Sequence, residues 1–160
     1  MRDNPLKTAD IVFNSKPDAV PYNYRISYKV SQLCLILHIC GRGNTCSLVK
    51  THMISFALIS QNNMDRLVGF AGGDDRSPIV RFDPAVNRAL TFAIAYGFVE
   101  QQQTGKLKLT DSGVQLAEQI IAVKDLMVSE IESLKVLAKK LTENKIESLM
   151  AMWRDSYAED

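Results

Sequence analysis

Residues 83–113 read DPAVNRALTFAIAYGFVEQQQTGKLKLTDSG, and the order of the signals in this stretch decides the fold. Asp83 is a residue type that commonly caps the N-terminus of a helix, and Pro84 suits the first helical position, where its missing N–H costs nothing. No Gly or Pro follows until Gly97. The stretch therefore predicts a helix over 85–96 that ends at this glycine.

A hairpin and another helix follow. Apolar and polar residues alternate from Lys106 to Thr110, which predicts a half-buried strand. Residues 98–100 form the partner strand, and Gly105 supplies the turn between them. Asp111 and Ser112 then open the next helix, with Ser112 interpreted as a cap.

Upstream, residues 24–40 contain no Gly or Pro and become strongly apolar, which predicts a helix buried on nearly all sides. Gly41 and Gly43 end it. Thr45 or Ser47 is expected to cap a second helix that runs to about residue 60. A short helix over 63–70 and a short strand over 79–82 complete this part of the chain.

This order of elements predicts a mainly α fold with a small β-hairpin, of the winged helix-turn-helix type, with an added C-terminal helical tail. The predicted organisation is an N-terminal arm with one short strand over 1–23, a winged-helix domain over 24–122 and the tail over 123–160. In the tail, apolar residues spaced four and three apart form a short seam: Met127, Ile131, Leu134, Ala138 and Leu141. We expect this seam to pack against the domain or against one partner helix.

Composition indicates a single soluble chain in a reducing compartment. The 160 residues are 46% hydrophobic and carry a net charge of +1, which does not favour a general nucleic-acid binder. Three cysteines without a secretory signal favour the cytoplasm. The longest apolar run, residues 33–40, would span only ~12 Å as a helix, so no membrane association is expected.

No motif in the sequence predicts catalysis or a cofactor. Gly105-Lys106 lacks the upstream glycine of a phosphate-binding loop, and Asp74-Asp75 is typical of a solvated turn. Cysteines and histidines cluster in one part of the sequence: Cys34, His38, Cys40, Cys46 and His52. They could form a zinc site, or they could be buried thiols with hydrogen-bonded histidines. The spacing of the cysteines favours the second interpretation. We therefore expect a protein that is not an enzyme and has no cofactor.

The helix over 85–96 also bears on whether the chain contacts DNA or protein. Asn87 and Arg88 have side chains that can recognise base edges, and Lys106 and Lys108 can contact a DNA backbone. The rest of the helix is apolar, apart from Thr91, which predicts burial on most sides. Protein binding is accordingly favoured over sequence-specific DNA binding.

Several short strings carry a family resemblance over residues 10–122: Phe13-Asn14-Ser15, residues 24–29, the apolar run 33–40 with its Gly-Arg-Gly end, residues 78–84, Asn87-Arg88-Ala89-Leu90 and Leu109-Thr110. Together they resemble the middle component of bacterial ABC-three-component systems, which act in Lamassu-type antiphage defence. The resemblance implies a small non-enzymatic subunit that assembles with an SMC-like ABC ATPase and an effector, often a nuclease. It also implies that the ATPase partner binds ATP and that the assembly as a whole senses DNA.

From this resemblance and the apolar seam we predict a docking surface for the ATPase or the effector, formed by Arg81, Asn87, Arg88, Met127, Ile131, Leu134 and Leu141. The alternative is a winged-helix transcription regulator that binds DNA through the helix over 85–96. Effector chemistry, stoichiometry and a role of the hairpin in touching DNA stay open at this point.

Overall fold

The computed structural model describes residues 25–74 and 77–158. In this part of the chain the fold is mainly helical, with one small antiparallel sheet. The helices are α1 (Ile26–Cys40), α2 (Leu48–Ala57), α3 (Gln61–Ala71), α4 (Pro84–Ala95), α5 (Asp111–Ala122), α6 (Val128–Leu137) and α7 (Glu143–Ala158). The strands are β1 (Thr45–Cys46), β2 (Val99–Gln101) and β3 (Leu107–Leu109), and a short 3-10 helix covers Ala138–Lys140. The predicted arm over 1–23 lies outside the described residues.

Helix α1 is the centre of the core. The residues from Leu33 to Leu37 are completely buried, and the helix contacts α2, α4, α5 and α6. All-round burial, expected from the apolar run, is therefore confirmed, with the helix starting at Ile26. Gly41 follows directly, and a Cβ there would lie 2.3 Å from the carbonyl oxygen of Leu37. Any other residue at this position would place its Cβ against the backbone of α1, so only glycine fits.

The sheet has the strand order β1-β3-β2, with both pairings antiparallel. The predicted hairpin is confirmed, since Val99 pairs with Leu109 and Gln101 with Leu107. Strand β1 adds to its other side, with Thr45 opposite Lys108 and Cys46 opposite Leu107. This third strand was not predicted from the sequence, because two residues carry no measurable periodicity.

The helix caps confirm part of the prediction and correct the rest. Asp83 caps α4 through a hydrogen bond from the Ala85 amide (2.9 Å), and Ser47 caps α2 through one from Lys50 (3.1 Å). Thr110, not Asp111 or Ser112, caps α5, because its hydroxyl accepts from the Gly113 amide (3.2 Å).

Two predictions for the middle of the chain need correction: the end of α2 and the strand over 79–82. Helix α2 ends at Ala57 instead of residue 60, because Ser60 caps α3 by accepting a hydrogen bond from the Asn63 amide (3.2 Å). Residues 79–82 are not a strand. Their β-prone side chains have no partner strand in the described structure. The segment therefore has no regular secondary structure before α4 begins.

The tail packs onto the rest of the fold, and its seam is not one continuous helix. Ala138 ends α6 with a φ of 30°. Helix α6 contacts α1 and α3, and six tail side chains belong to the main core: Ile131, Leu134, Leu137, Leu141, Ile146 and Leu149. The apolar residues at seam spacing are therefore covered by the chain itself. None of the helices in residues 25–74 and 77–158 has the length and apolarity that crossing a bilayer requires.

Gly113 provides a direct test of the packing between α5 and the hairpin. An added Cβ would lie 2.1 Å from the carbonyl oxygen of Phe98 and 2.8 Å from a Leu109 methyl group. We expect Gly113→Ala to destabilise the fold by about 1–3 kcal/mol in urea denaturation, because the backbone must shift to relieve the overlap. The neighbouring exposed Ser112→Ala, which removes no cap, should change stability by less than about 0.5 kcal/mol. Equal stability of the two variants would contradict this packing.

Candidate partner-binding surface

Helix α4 has one buried face and one exposed face. The buried side chains are mostly small, namely Ala85, Val86, Ala89, Leu90 and Ala93, and they pack against α1. Small residues allow two helix backbones to approach closely, so α4 is held firmly on the core. The other face leaves polar and aromatic side chains in solvent: Asn87, Arg88, Thr91, Phe92, Ile94 and Tyr96. We call this exposed set the α4 surface.

Aromatic side chains make up much of the α4 surface. Arg88, Phe92 and Tyr96 follow each other at intervals of four, so they share one side of the helix. Phe92 is 42% exposed and Tyr96 69%. Their rings stack with centroids 6.2 Å apart, and Phe98 continues the row 6.4 Å from Tyr96. The expectation that this apolar helix is buried on most sides is therefore wrong for its aromatic residues.

The segment before α4 extends this surface. Phe82 is 59% exposed and rests on the ring of His52, with centroids 4.7 Å apart. Arg81 lies over the ring of Phe56, with its guanidinium carbon 5.8 Å from the centroid. That distance suits a cation–π contact. Aromatic and arginine side chains thus border the N-terminal end of α4 as well.

A buried histidine fixes the start of α4. His52 is 1% exposed, and its Nδ1 accepts a hydrogen bond from the Asp83 amide (3.4 Å). Its Nε2 lies 3.1 Å from Asn87 Oδ1. Because Nδ1 accepts, Nε2 must carry the proton and donate to Asn87, which assigns the neutral tautomer. Burial lowers the pKa of His52, and the hydrogen bond to Asn87 opposes this shift.

A buried lysine links α1 and α2 to the same cap. Lys29 is 3% exposed, and its ammonium lies 3.4 Å from both Gln32 Oε1 and Ser55 Oγ. Asp83 Oδ2 is 3.8 Å away. Burial lowers the pKa of Lys29, and the charge of Asp83 partly counters it. This polar network was missed from the sequence, although a lysine within a helix predicted to be buried was the signal for it.

The network makes a prediction for pH dependence. His52 has a folded-state pKa below its ordinary value of 6.5, so the unfolded chain binds a proton there more readily than the folded chain. The stability that this neutral histidine contributes should therefore be fully present well above pH 6.5 and decrease as the pH falls through that value towards 5. We expect His52→Gln to show a flatter dependence of the urea midpoint across this window. Parallel curves for the two proteins would contradict a neutral buried His52.

The predicted docking residues separate into two groups in the structure. Arg81, Asn87 and Arg88 are exposed, with Arg81 just before α4 and the other two within its first two turns. In the tail, Met127 is only half-buried, but Ile131 is 8% exposed and Leu134 and Leu141 are 0% exposed. Their prediction as docking residues needs correction, because these three side chains pack into the core of their own chain.

A cavity of about 250 Å³ opens beside Lys29 between α1, α3 and α6. Its polar groups already bond to one another. Tyr28 Oη donates to Glu130 Oε1 (2.7 Å), and Ser129 Oγ donates to Glu130 Oε2 (3.2 Å). The bond from Tyr28 joins α1 to α6, so it helps to fix the tail on the core.

The cysteine and histidine cluster from the sequence does not come together. Burial raises the pKa of Cys34, Cys40 and Cys46 to about 12 each. The ring of His38 hydrogen-bonds Asn44 (3.1 Å). Across residues 25–74 and 77–158, no three His, Cys, Asp or Glu side chains converge as metal ligands. The thiols fill the core as small apolar groups.

The remaining predicted residues, Lys106 and Lys108, lie at the hairpin. Lys108 is exposed on β3, and Lys106 is half-buried just before that strand.

Neither a family model nor a curated protein nor a solved structure matches the chain. Its function therefore has to be inferred from its own surface.

Proposed function

We propose that the chain is a non-catalytic adaptor subunit of a bacterial antiphage defence complex of the Lamassu type. In this proposal the α4 surface docks on an SMC-like ABC ATPase, and the chain links that ATPase to an effector such as a nuclease. The observation that carries the proposal is the row of exposed Arg88, Phe92 and Tyr96 side chains on α4. The ATPase would supply nucleotide chemistry, and the assembly would work in the cytoplasm.

The chemistry of this row suits a protein partner. Tyr, Phe and Arg are enriched in protein interfaces, and Tyr and Arg are frequent among the residues that carry most of the binding energy. A contiguous exposed apolar patch on a small chain typically marks an interaction site. The anchored backbone of α4 favours tight binding, because little conformational freedom is lost on docking.

The order of elements supports the winged-helix part of the proposal. Helices α1 to α4 are followed by the β2–β3 hairpin, and β1 joins the far side of β3. This arrangement places α4 immediately before the hairpin, where a winged helix carries its recognition helix. In the proposed adaptor, that helix contacts a protein, and α6 and α7 form the added helical tail.

A winged-helix transcription regulator is the second candidate, favoured by the exposed polar residues Asn87, Arg88 and Thr91 on α4. An asparagine recognises adenine through both atoms of its amide. The Oδ1 atom of Asn87 is already bonded to His52, which weakens this alternative. A gel-shift assay with upstream DNA at several salt concentrations discriminates, because a regulator would bind one sequence selectively.

Co-expression with the products of the neighbouring genes tests the adaptor proposal, which expects an ATPase and an effector among them. We expect a stable complex of all three proteins on size-exclusion chromatography when the chain carries an affinity tag. A tagged chain that elutes as an unbound monomer, while the ATPase and effector remain folded, would overturn it.

A further inference from the structure

A groove of about 500 Å³ lies between the β1 edge of the sheet and the start of α7. It shares no residue with the buried network around Lys29 and His52, and most of its charged side chains are cationic. The basic residues that line it are Arg42, Lys50, Lys106 and Lys139. They come from four separate positions in the chain, so the fold itself assembles this concentration of positive charge.

Lys50 lies deepest in the groove. It is 3% exposed, and its ammonium donates to the carbonyl oxygen of Cys40 (2.8 Å). A lysine ammonium has three N–H donors, and this bond uses one of them. Arg42 and Lys139 are exposed, and Lys106 is half-buried. The groove therefore has one recessed cation and three nearer to solvent.

The positive charge continues from the groove onto the outer face of the sheet. Side chains two residues apart on a strand share a face, so Lys106 and Lys108 lie on the same side. Leu107 and Leu109 fill the buried side. Thr45, which also lines the groove, is directly opposite Lys108. The positive charge therefore extends beyond the groove, from Lys106 to the exposed Lys108.

Acidic side chains offset part of this charge. Glu143 and Glu147 line the tail side of the groove, and Glu100 lies opposite Lys108 on the sheet. Glu143 is engaged within the fold, because its Oε1 accepts a hydrogen bond from the Ser47 amide (2.8 Å). Four cations against two carboxylates still leave the groove with a formal charge of +2.

We propose that this groove and the adjoining sheet face bind the phosphate backbone of duplex DNA without reading its sequence. Positive charge that continues from the groove onto the sheet face suits a polymer of evenly spaced phosphates better than one compact anion. Backbone contacts by Lys and Arg position a protein on DNA and carry no sequence information. The site is separate from the α4 surface, because α4 contacts β2 and β1 lies at the opposite edge of the sheet. The inference therefore does not depend on the adaptor proposal.

Fluorescence anisotropy with a labelled 30-base-pair duplex tests the assignment, using the wild-type chain at salt concentrations from 50 to 300 mM. We expect Lys106→Ala/Lys139→Ala to weaken binding by at least about tenfold at the lowest salt and to reduce the salt slope by about 2. Lys124→Ala/Arg154→Ala removes the same charge at exposed positions outside the groove and should retain most of the affinity. Arg42→Ala alone should give a smaller loss in the same direction.

Three outcomes would overturn the proposal. The first is an equal loss of affinity in the groove variant and the charge-matched control, which would indicate only bulk electrostatics. The second is strong preference for one of two unrelated duplex sequences. The third is binding of ATP or inorganic phosphate with no binding of the duplex. Circular dichroism of each variant checks that the fold is retained.

Discussion

Leu134→Ala should destabilise the folded chain by about 2–5 kcal/mol, because it removes a large apolar side chain from a filled core. Leu134 is 0% exposed, and its carbonyl oxygen accepts a weak hydrogen bond from the Cys40 thiol at the end of α1 (3.5 Å). The expected loss is large because the tail packs on α1 and α3. The surrounding side chains can collapse only partly into the space left.

Urea denaturation followed by circular dichroism measures this effect. Val136→Ala is the matched control, since Val136 lies on the same helix and is 53% exposed. It should change the free energy of unfolding by less than about 0.5 kcal/mol. If Leu134→Ala were as mild as the control, α6 would not be part of the core.

The elements that could be predicted from the sequence are those with local signals. Asp83, Pro84 and Gly97 determine both ends of α4 through backbone chemistry within a few residues. The β2–β3 hairpin depends on alternation over five residues and on Gly105, which has a φ of 83°. These features are determined by residues close together in the chain and not by distant contacts, so the sequence alone predicts them.

The features that could not be predicted depend on contacts between distant parts of the chain. Strand β1 exists because it pairs with β3, more than 60 residues later. Residues 79–82 have β-prone side chains but find no strand to join. The tail seam shows the same limit, because heptad spacing identifies a stripe of Leu134 and Leu141 but does not say what covers it.

The candidate site was predicted in part. Arg81, Asn87 and Arg88 were expected at a docking surface, and all three are exposed in the structure. That position alone does not test their role. Phe92 and Tyr96 were missed, because an aromatic residue in an apolar helix is usually buried. The mostly small residues on the inner face of α4 make the contact with α1. The two aromatic rings lie on the opposite face, in solvent.

Phe92→Ser/Tyr96→Ser should weaken binding of the proposed ATPase partner by at least about 100-fold, the effect of losing two central aromatic anchors. Both side chains are more than 40% exposed in the isolated chain. Their removal should therefore leave the free energy of unfolding within about 1 kcal/mol of the wild type. The variant would separate binding from folding.

Met152→Ser/Tyr157→Ser is the matched control for this variant. Its two side chains are 65% and 82% exposed on α7, so it removes a similar amount of apolar surface elsewhere. We expect it to bind the ATPase as the wild type does. A loss confined to the α4 variant would assign the interface to that helix and not to general surface hydrophobicity.

The central claim is that the α4 surface docks on the proposed ATPase partner. Isothermal titration calorimetry, with that purified partner titrated into the wild-type chain and these two variants, tests it most directly. The α4 surface as docking site predicts saturable binding by the wild type and the α7 variant, with little or no heat from the α4 variant. Undiminished binding by Phe92→Ser/Tyr96→Ser, with its fold intact, would contradict it.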